Sequence, residues 1–192
     1  MVDVDYIISQ YAQGLFLMAD DDDQLGWYQS DHHALIPLDQ RFRYPKSLQR
    51  VLNQNRFTVA INRDFTAVCQ GCANRQQTWI SDTLITVYHH LHQAGWAHSF
   101  ETWEGDRLAG GILAIAIRGA LIGESMFYNV PEGSKVAMVK LVEHLRRQGY
   151  CLFDAQLQNP HLKRFGAYEV SEIVFKAELQ KALRSACHFL PN

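Results

Sequence analysis

Two short runs hold the side chains best placed to do chemistry: Gly123-Glu124-Ser125-Met126-Phe127 and Asp154-Ala155-Gln156. The first has the outline of the sharp turn that presents a nucleophilic serine. That turn needs glycine where Phe127 stands, so no covalent serine intermediate is expected. In the second run Asp154 and Gln156 are two positions apart, which on a strand points both to one face. An acid beside an amide can orient a reacting group, although the Gln156 amide does not titrate as a base. Metal chemistry fares worse. The acidic run that begins at Asp20 fails as a calcium loop, because Leu25 stands at the position that requires glycine. Cys69-Gln70-Gly71-Cys72 has the spacing of half a zinc site, but no second pair exists in the chain. His89-His90-x-His92 lies in a helical segment and lacks the His-Glu-x-x-His pattern. No metal ligand set is expected.

The elements that must position these residues follow from periodicity. Ile7, Ile8, Tyr11, Ala12 and Leu15 recur at helical spacing behind Asp5. Asp20 to Asp23 reads as an exposed loop, Ala34 to Leu38 as a short strand, and Pro45 opens a basic helix that ends near Asn55. Phe57, Val59 and Ile61 alternate with Thr58, Ala60 and Asn62, the pattern of a half-buried strand. Helices are expected over 64–73, with Phe65, Val68, Cys69 and Cys72 as a buried face, and over 81–94, between Ser81 and Gly95. Strands near 98–103, 108–117 and 120–127, joined by Glu104-Gly105-Asp106 and Arg118-Gly119, form an antiparallel meander. Ser134 to Gln148 is the clearest helix, with Met138, Leu141, Val142 and Leu145 as its apolar stripe. A strand over 150–156, a short helix after Pro160, a strand near 169–174 and a last helix complete the chain.

That order predicts an α/β (α+β) protein with a mixed sheet flanked by helices, and it resembles the fold of the GCN5-related N-acyltransferases. A small N-terminal subdomain over 1–56 and an acyltransferase-like domain over 57–192 are expected. Acyltransferases of that fold hold coenzyme A pyrophosphate on a glycine-rich loop before the long helix. Here the junction Phe127-Tyr128-Asn129-Val130-Pro131-Glu132-Gly133-Ser134 offers one glycine, a proline without an N–H and an acid. No cofactor is expected, and the acyl group must arrive on another carrier.

Charge suggests which carrier. The net charge is −2, but residues 1–40 carry eight Asp and no Lys or Arg, whereas Arg41, Arg43, Lys46, Arg50, Arg56 and Arg63 follow with no acid among them. A local cationic patch on a near-neutral protein suits a polyanion bound at one place, and a solvated helix face is the alternative. No apolar run is long enough for a membrane helix and the acidic N-terminus lacks the basic region of a secretory signal, so a cytoplasmic protein without membrane contact is expected.

Thr78-Trp79-Ile80, Gly110-Gly111, Gly123-Glu124-Ser125-Met126-Phe127, Ser134-Lys135, Asp154-Ala155-Gln156, Asn159, His161 and Gly166-Ala167 stand in the order found in leucyl/phenylalanyl-tRNA–protein transferases, which the chain resembles from Tyr11 to Ala167. The resemblance implies transfer of Leu or Phe, and possibly Met, from aminoacyl-tRNA to the N-terminal Lys or Arg of acceptor proteins, creating an N-degron for protein degradation. It implies aminolysis of an ester, which needs positioning, a site for the amine proton and oxyanion stabilisation. Gln156 would accept a hydrogen bond from the amine, Asp154 would fix Gln156, and Glu124 would attract the cationic acceptor residue. Ile112, Ala114 and Leu121, with Met126 or Phe127, would form the dry pocket for the donor side chain. Trp27, Tyr28 and Trp79 would stack on the terminal adenosine, and Ser125 and Asn159 would complete the substrate contacts. Arg41, Arg43, Lys46, Arg50 and Arg56 would meet tRNA phosphates. A monomer is the expected state. A coenzyme A-dependent acetyltransferase and a non-catalytic tRNA-binding adaptor remain as alternatives.

Overall fold

The computed structural model describes residues 2–20, 22–74 and 78–190. Helix α1 (Val4–Tyr11) starts where the Asp3 carboxylate accepts a hydrogen bond from the Tyr6 amide at 2.9 Å, the usual device for satisfying a helix's first free N–H groups. It is followed by a hairpin that the sequence reading missed, β1 (Phe16–Ala19) and β2 (Leu25–Tyr28). Asp20 makes its turn by accepting from the amides of Asp22 and Gln24, as short acidic side chains do at turns. The remaining elements are β3 (His32–Leu35), α2 (Lys46–Asn53), β4 (Thr58–Ile61), α3 (Phe65–Ala73), α4 (Asp82–Gln93), β5 (Ala97–Glu104), β6 (Arg107–Ile117), β7 (Ala120–Tyr128), α5 (Gly133–Arg147), β8 (Leu152–Asp154), α6 (Pro160–Lys163), β9 (Tyr168–Ser171) and α7 (Glu172–Ala182).

Seven strands form one mixed sheet in the order β4-β5-β6-β7-β8-β3-β9. The predicted meander β5-β6-β7 lies at its centre, and β7 and β8 are parallel, linked through α5. Although β3 precedes residue 57, it sits inside this sheet, between β8 and β9. The sheet is thus mixed and flanked by helices on both faces. Leu113, Ile115, Ile117 and Ile122 pack against α1, α3 and α4 on one face, with α7 joining that side through Phe175 and Leu179 against Ala120 and Leu152. Ile112, Ala114, Ala116 and Leu121 pack against α2 and α5 on the other. Cys69 and Cys72 are fully buried in α3, and burial pushes the Cys69 thiol up to about 12, which disfavours its reactive thiolate. Among the described residues no helix is long and apolar enough to cross a membrane.

Two local irregularities shape the site. Leu113 pairs with Ser125 but Ala114 pairs with Gly123, so Glu124 is the extra residue of a β-bulge in β7. The extra residue resets the alternation: Met126 falls on the α5 face and Phe127 on the α3 face. The second irregularity is a parting of strands. β8 runs beside β7 only from Ala120↔Leu152 to Ile122↔Asp154. Beyond that the chain follows β3, with backbone bonds from Ala155 N to Ala34 O and from Ala34 N to Gln156 O. β7 continues without β8 beside it, and a cleft opens between them.

Candidate active site

The cleft has a volume of about 320 Å3. Gly123 to Met126 form one lip and Ala155 to Asn159 the other; Met18, Trp79, Ile112, Met138, Phe153 and Leu162 supply the walls. The lining is therefore largely apolar with an acid and amides set into it, the composition of a site that seats an apolar group while orienting a polar one.

Glu124 is the one acid in that lining. Its side chain is buried, with 4% of the residue exposed. The Tyr88 hydroxyl donates to its Oε2 at 2.6 Å, and the Gln156 amide donates from Nε2 to its Oε1 at 3.3 Å. Burial pushes the Glu124 carboxyl up to about 7, against the opposing pull of hydrogen bonds from Tyr88 and Tyr11, and the charge of Asp154 adds to the rise. A carboxyl poised there exchanges a proton near neutral pH. Burial, with the Glu124 charge second, also raises the Tyr11 and Tyr88 phenols far above their ordinary range, so both hydroxyls stay donors.

Asp154 and Gln156 come together, but not by strand alternation. β8 ends at Asp154, and Gln156 takes a left-handed backbone with φ of 60°. Phe153, Ala155 and Gln156 face the cleft. The Asp154 carboxylate instead lies behind it, accepting the Gln156 backbone N–H at 2.9 Å and meeting His33 Nδ1 at 3.2 Å from both oxygens. A non-glycine residue with positive φ is strained, and this hydrogen bond holds Gln156 there. With its Nε2 committed to Glu124, the Gln156 amide keeps its oxygen as acceptor.

Of the other residues singled out from sequence, Trp79, Ile112, Ser125, Met126 and Asn159 line the cleft. Asn159 also caps α6, accepting from the Leu162 amide at 3.0 Å. Ala114 and Leu121 do not reach the cleft; they are buried against α5. Phe127 lies on the opposite face, against Gly71 of α3, where an added methyl would sit 2.5 Å from its ring. Trp27 packs edge-on to Tyr11 and Tyr6, with ring centroids 5.7 and 6.2 Å away, and Tyr28 stacks on Phe16; neither lines the cleft. Arg41, Arg43, Lys46, Arg50 and Arg56 are all exposed, with Arg41 paired to Asp39 and Arg56 to Glu104. Among the described residues no group of three His, Cys, Asp or Glu side chains could hold a metal ion.

Sequence reasoning missed Met18, Met138, Phe153 and Leu162 as cleft walls, and Tyr11, Tyr88 and His33 as partners of the acids. One signal for Tyr88 existed: it sits on the apolar face of α4 with Leu84, Val87 and Leu91, and a phenol there must find a buried acceptor. The placement of Leu121 and Met138 makes a prediction. Leu121→Ala is expected to cost about 2–5 kcal/mol of stability, read by denaturant melts, with ligand selection at the cleft unchanged. Met138→Ala, at the cleft, is expected to enlarge it and to favour bulkier apolar ligands there by roughly 10-fold or more.

Comparison with known proteins bears on what this cleft belongs to. Residues 35–180 match the family model described as leucyl/phenylalanyl-tRNA protein transferase, and residues 1–31 match the one for the N-terminal domain of that transferase. A leucyl/phenylalanyl-tRNA–protein transferase of Synechocystis sp. is 76% identical over 188 residues, which is 98% of this chain and 95% of the relative. One of Gloeothece citriformis is 71% identical, covering 98% of each chain. Among solved structures, L-PGS from Bacillus licheniformis aligns over 80% of this chain and 65% of its own, at 14% identity and a TM-score of 0.48. The family model over 35–180, together with relatives of this identity and coverage, shows that the chain belongs to the leucyl/phenylalanyl-tRNA–protein transferase family.

Proposed function

We propose that this chain transfers Leu or Phe from aminoacyl-tRNA to the N-terminal Lys or Arg of acceptor proteins, in the cytoplasm and as a monomer. The observation that carries the reading, beside the family, is a single cleft whose apolar walls meet a buried acid and an oriented amide. Met18, Ile112, Met126, Met138 and Phe153 suit the donor side chain, and Trp79 offers a face for the terminal adenine. The exposed basic segment from Arg41 to Arg56 suits tRNA phosphates, with Arg43, Lys46 and Arg50 outside the two ion pairs that engage Arg41 and Arg56.

The donor ester is already activated, so the protein has to position the amine, take its proton and favour the tetrahedral intermediate. The acceptor nitrogen attacks the ester carbonyl carbon, and the bond from that carbon to the ribose oxygen breaks. The Gln156 oxygen accepts from the amine and aims its lone pair. Glu124, in its ionised form, takes the proton that the nitrogen must lose, and the departing ribose oxygen ends with a proton. An ionised Glu124 also favours a cationic residue at the acceptor's N-terminus.

Transfer from radiolabelled Leu-tRNA and Phe-tRNA to peptides beginning with Lys, Arg or Ala tests this. Labelled peptide with Lys and Arg acceptors, and little with Ala, is the expected result. Binding of tRNA without any labelled peptide would leave the protein as an adaptor and overturn the reading.

A further inference from the structure

The Asp154 carboxylate that holds the Gln156 backbone has an imidazole behind it. His33 lies on β3, paired with Val170 of β9, and is 1% exposed. Its ring stacks on Phe175 of α7, with centroids 3.6 Å apart and planes inclined by 8°. Its Nδ1 stands 3.2 Å from each Asp154 oxygen. A carboxylate can only accept, so Nδ1 carries the hydrogen. The same carboxylate accepts the Gln156 backbone N–H at 2.9 Å, and the Gln156 side chain donates to Glu124. One line of contacts therefore runs from α7 through His33, Asp154 and Gln156 to Glu124, crossing the place where β8 ends.

We infer that His33 is a positioning residue for transfer: it holds Asp154 in the orientation that keeps Gln156 in its left-handed turn, and so keeps the Gln156 amide against Glu124. This rests on the transfer reading above. The physical reason is that a buried carboxylate with one partner removed is left unsatisfied and turns to find another. Gln156 then loses the bond that offsets its strained backbone and relaxes away from Glu124. The stack on Phe175 fixes the ring plane, and the hydrogen bond fixes the carboxylate.

Two variants separate positioning from packing. His33→Phe keeps a ring on Phe175 and removes the donor. His33→Asn removes the ring and keeps an amide N–H close to where Nδ1 was. The expected result is a kcat for His33→Phe lowered roughly 10- to 100-fold, as for a small misplacement of a reacting group, with KM for aminoacyl-tRNA unchanged. His33→Asn recovers most of that kcat, and thermal melts establish that both variants are folded. Wild-type kcat in His33→Phe, or no recovery in His33→Asn, overturns the inference. Hydrogen exchange at the Gln156 amide decides the link independently of any transfer: it is expected to quicken in His33→Phe and stay slow in His33→Asn. An amide equally protected in all three proteins overturns the proposal, even if the protein transfers as proposed. Absence of transfer in the wild type, with exchange behaving as expected, removes the functional reading and leaves the positioning contact.

Discussion

Glu124→Gln is expected to lower kcat for transfer about 100-fold or more at neutral pH, the scale of losing a positioned proton acceptor, while leaving KM for aminoacyl-tRNA nearly unchanged. The substitution keeps the volume and an oxygen to accept from Tyr88; it removes the ionisable group and turns an NH2 towards Gln156, whose amide must flip to meet it with its oxygen. Wild-type kcat/KM is expected to rise with pH through about 7, where burial has moved the Glu124 carboxyl. The variant loses that limb and retains only the one belonging to the acceptor's own amine. Stability gives an independent reading. Glu124 binds its proton more tightly in the folded chain than in the unfolded one, so its contribution turns unfavourable as pH rises. No penalty is present below the ordinary carboxyl value of 4.5, and it is complete above about 7. Glu124→Gln should therefore gain on the wild type between pH 5 and pH 8, by up to about 3 kcal/mol. Full transfer activity with an unaltered pH profile would remove Glu124 from the mechanism, and parallel stability curves would remove the buried-carboxyl account of its pKa.

Much of the frame that holds this acid is legible in sequence, because long periodic segments declare themselves. The meander of β5, β6 and β7 and the α5 stripe of Met138, Leu141, Val142 and Leu145 follow from alternation and helical spacing. What the pattern does not carry is parity. Straight alternation along β7 puts Phe127 on the same face as Gly123 and Ser125, but a single bulge residue at Glu124 exchanges the faces beyond it. Phe127 therefore packs under α3 instead of lining the cleft. Asp154 and Gln156 show the same limit. Their two-residue spacing suggests a common face, but β8 stops at Asp154 and Gln156 turns left-handed, so the pair is joined through the Gln156 backbone N–H. Contacts distant in sequence are hidden for another reason. Nothing local to Tyr88 or His33 says which carboxylate each will meet, because the strand order that brings β8 beside β3 and α4 under the bulge is decided by packing of the whole sheet. The β1–β2 hairpin is not legible in sequence because four-residue strands around an acidic turn have too few alternating positions to distinguish from loop.

The other large effect is expected where β6 crosses the start of α5, at Gly133→Ala. A methyl group on Gly133 would lie 2.3 Å from the Ala109 carbonyl oxygen, and one on Gly110 would lie 2.6 Å from the Ser134 backbone nitrogen. Both obstacles are backbone, so no side-chain rotation relieves them. Neither backbone is free to retreat. The Ala109 oxygen accepts from the Asn129 and Val130 amides at 2.8 and 3.0 Å, and the Gly133 oxygen accepts from the Thr102 hydroxyl at 3.0 Å. Relief requires α5 to lift from the sheet, which opens the densely packed layer of Val136, Val139 and Leu141 over Ile112 and Ala114. Gly133→Ala is therefore expected to cost about 3 kcal/mol or more, lowering Tm by roughly 6–12 °C in a domain of this size. Gly105→Ala is the contrast: nothing lies within 4 Å of its added methyl, and only its φ of 60° opposes the substitution, a cost of about 1–2 kcal/mol. Gly133 itself has no left-handed backbone, so a melting shift no larger than that of Gly105→Ala would overturn the close approach of α5 to β6 as the reason for glycine at this position. Because α5 also carries Met138 to the cleft wall, the folded fraction of Gly133→Ala should show altered donor preference while the pH limb assigned to Glu124 stays in place. The two changes thus separate the part of the fold proposed to shape the acyl pocket from the part proposed to move the proton.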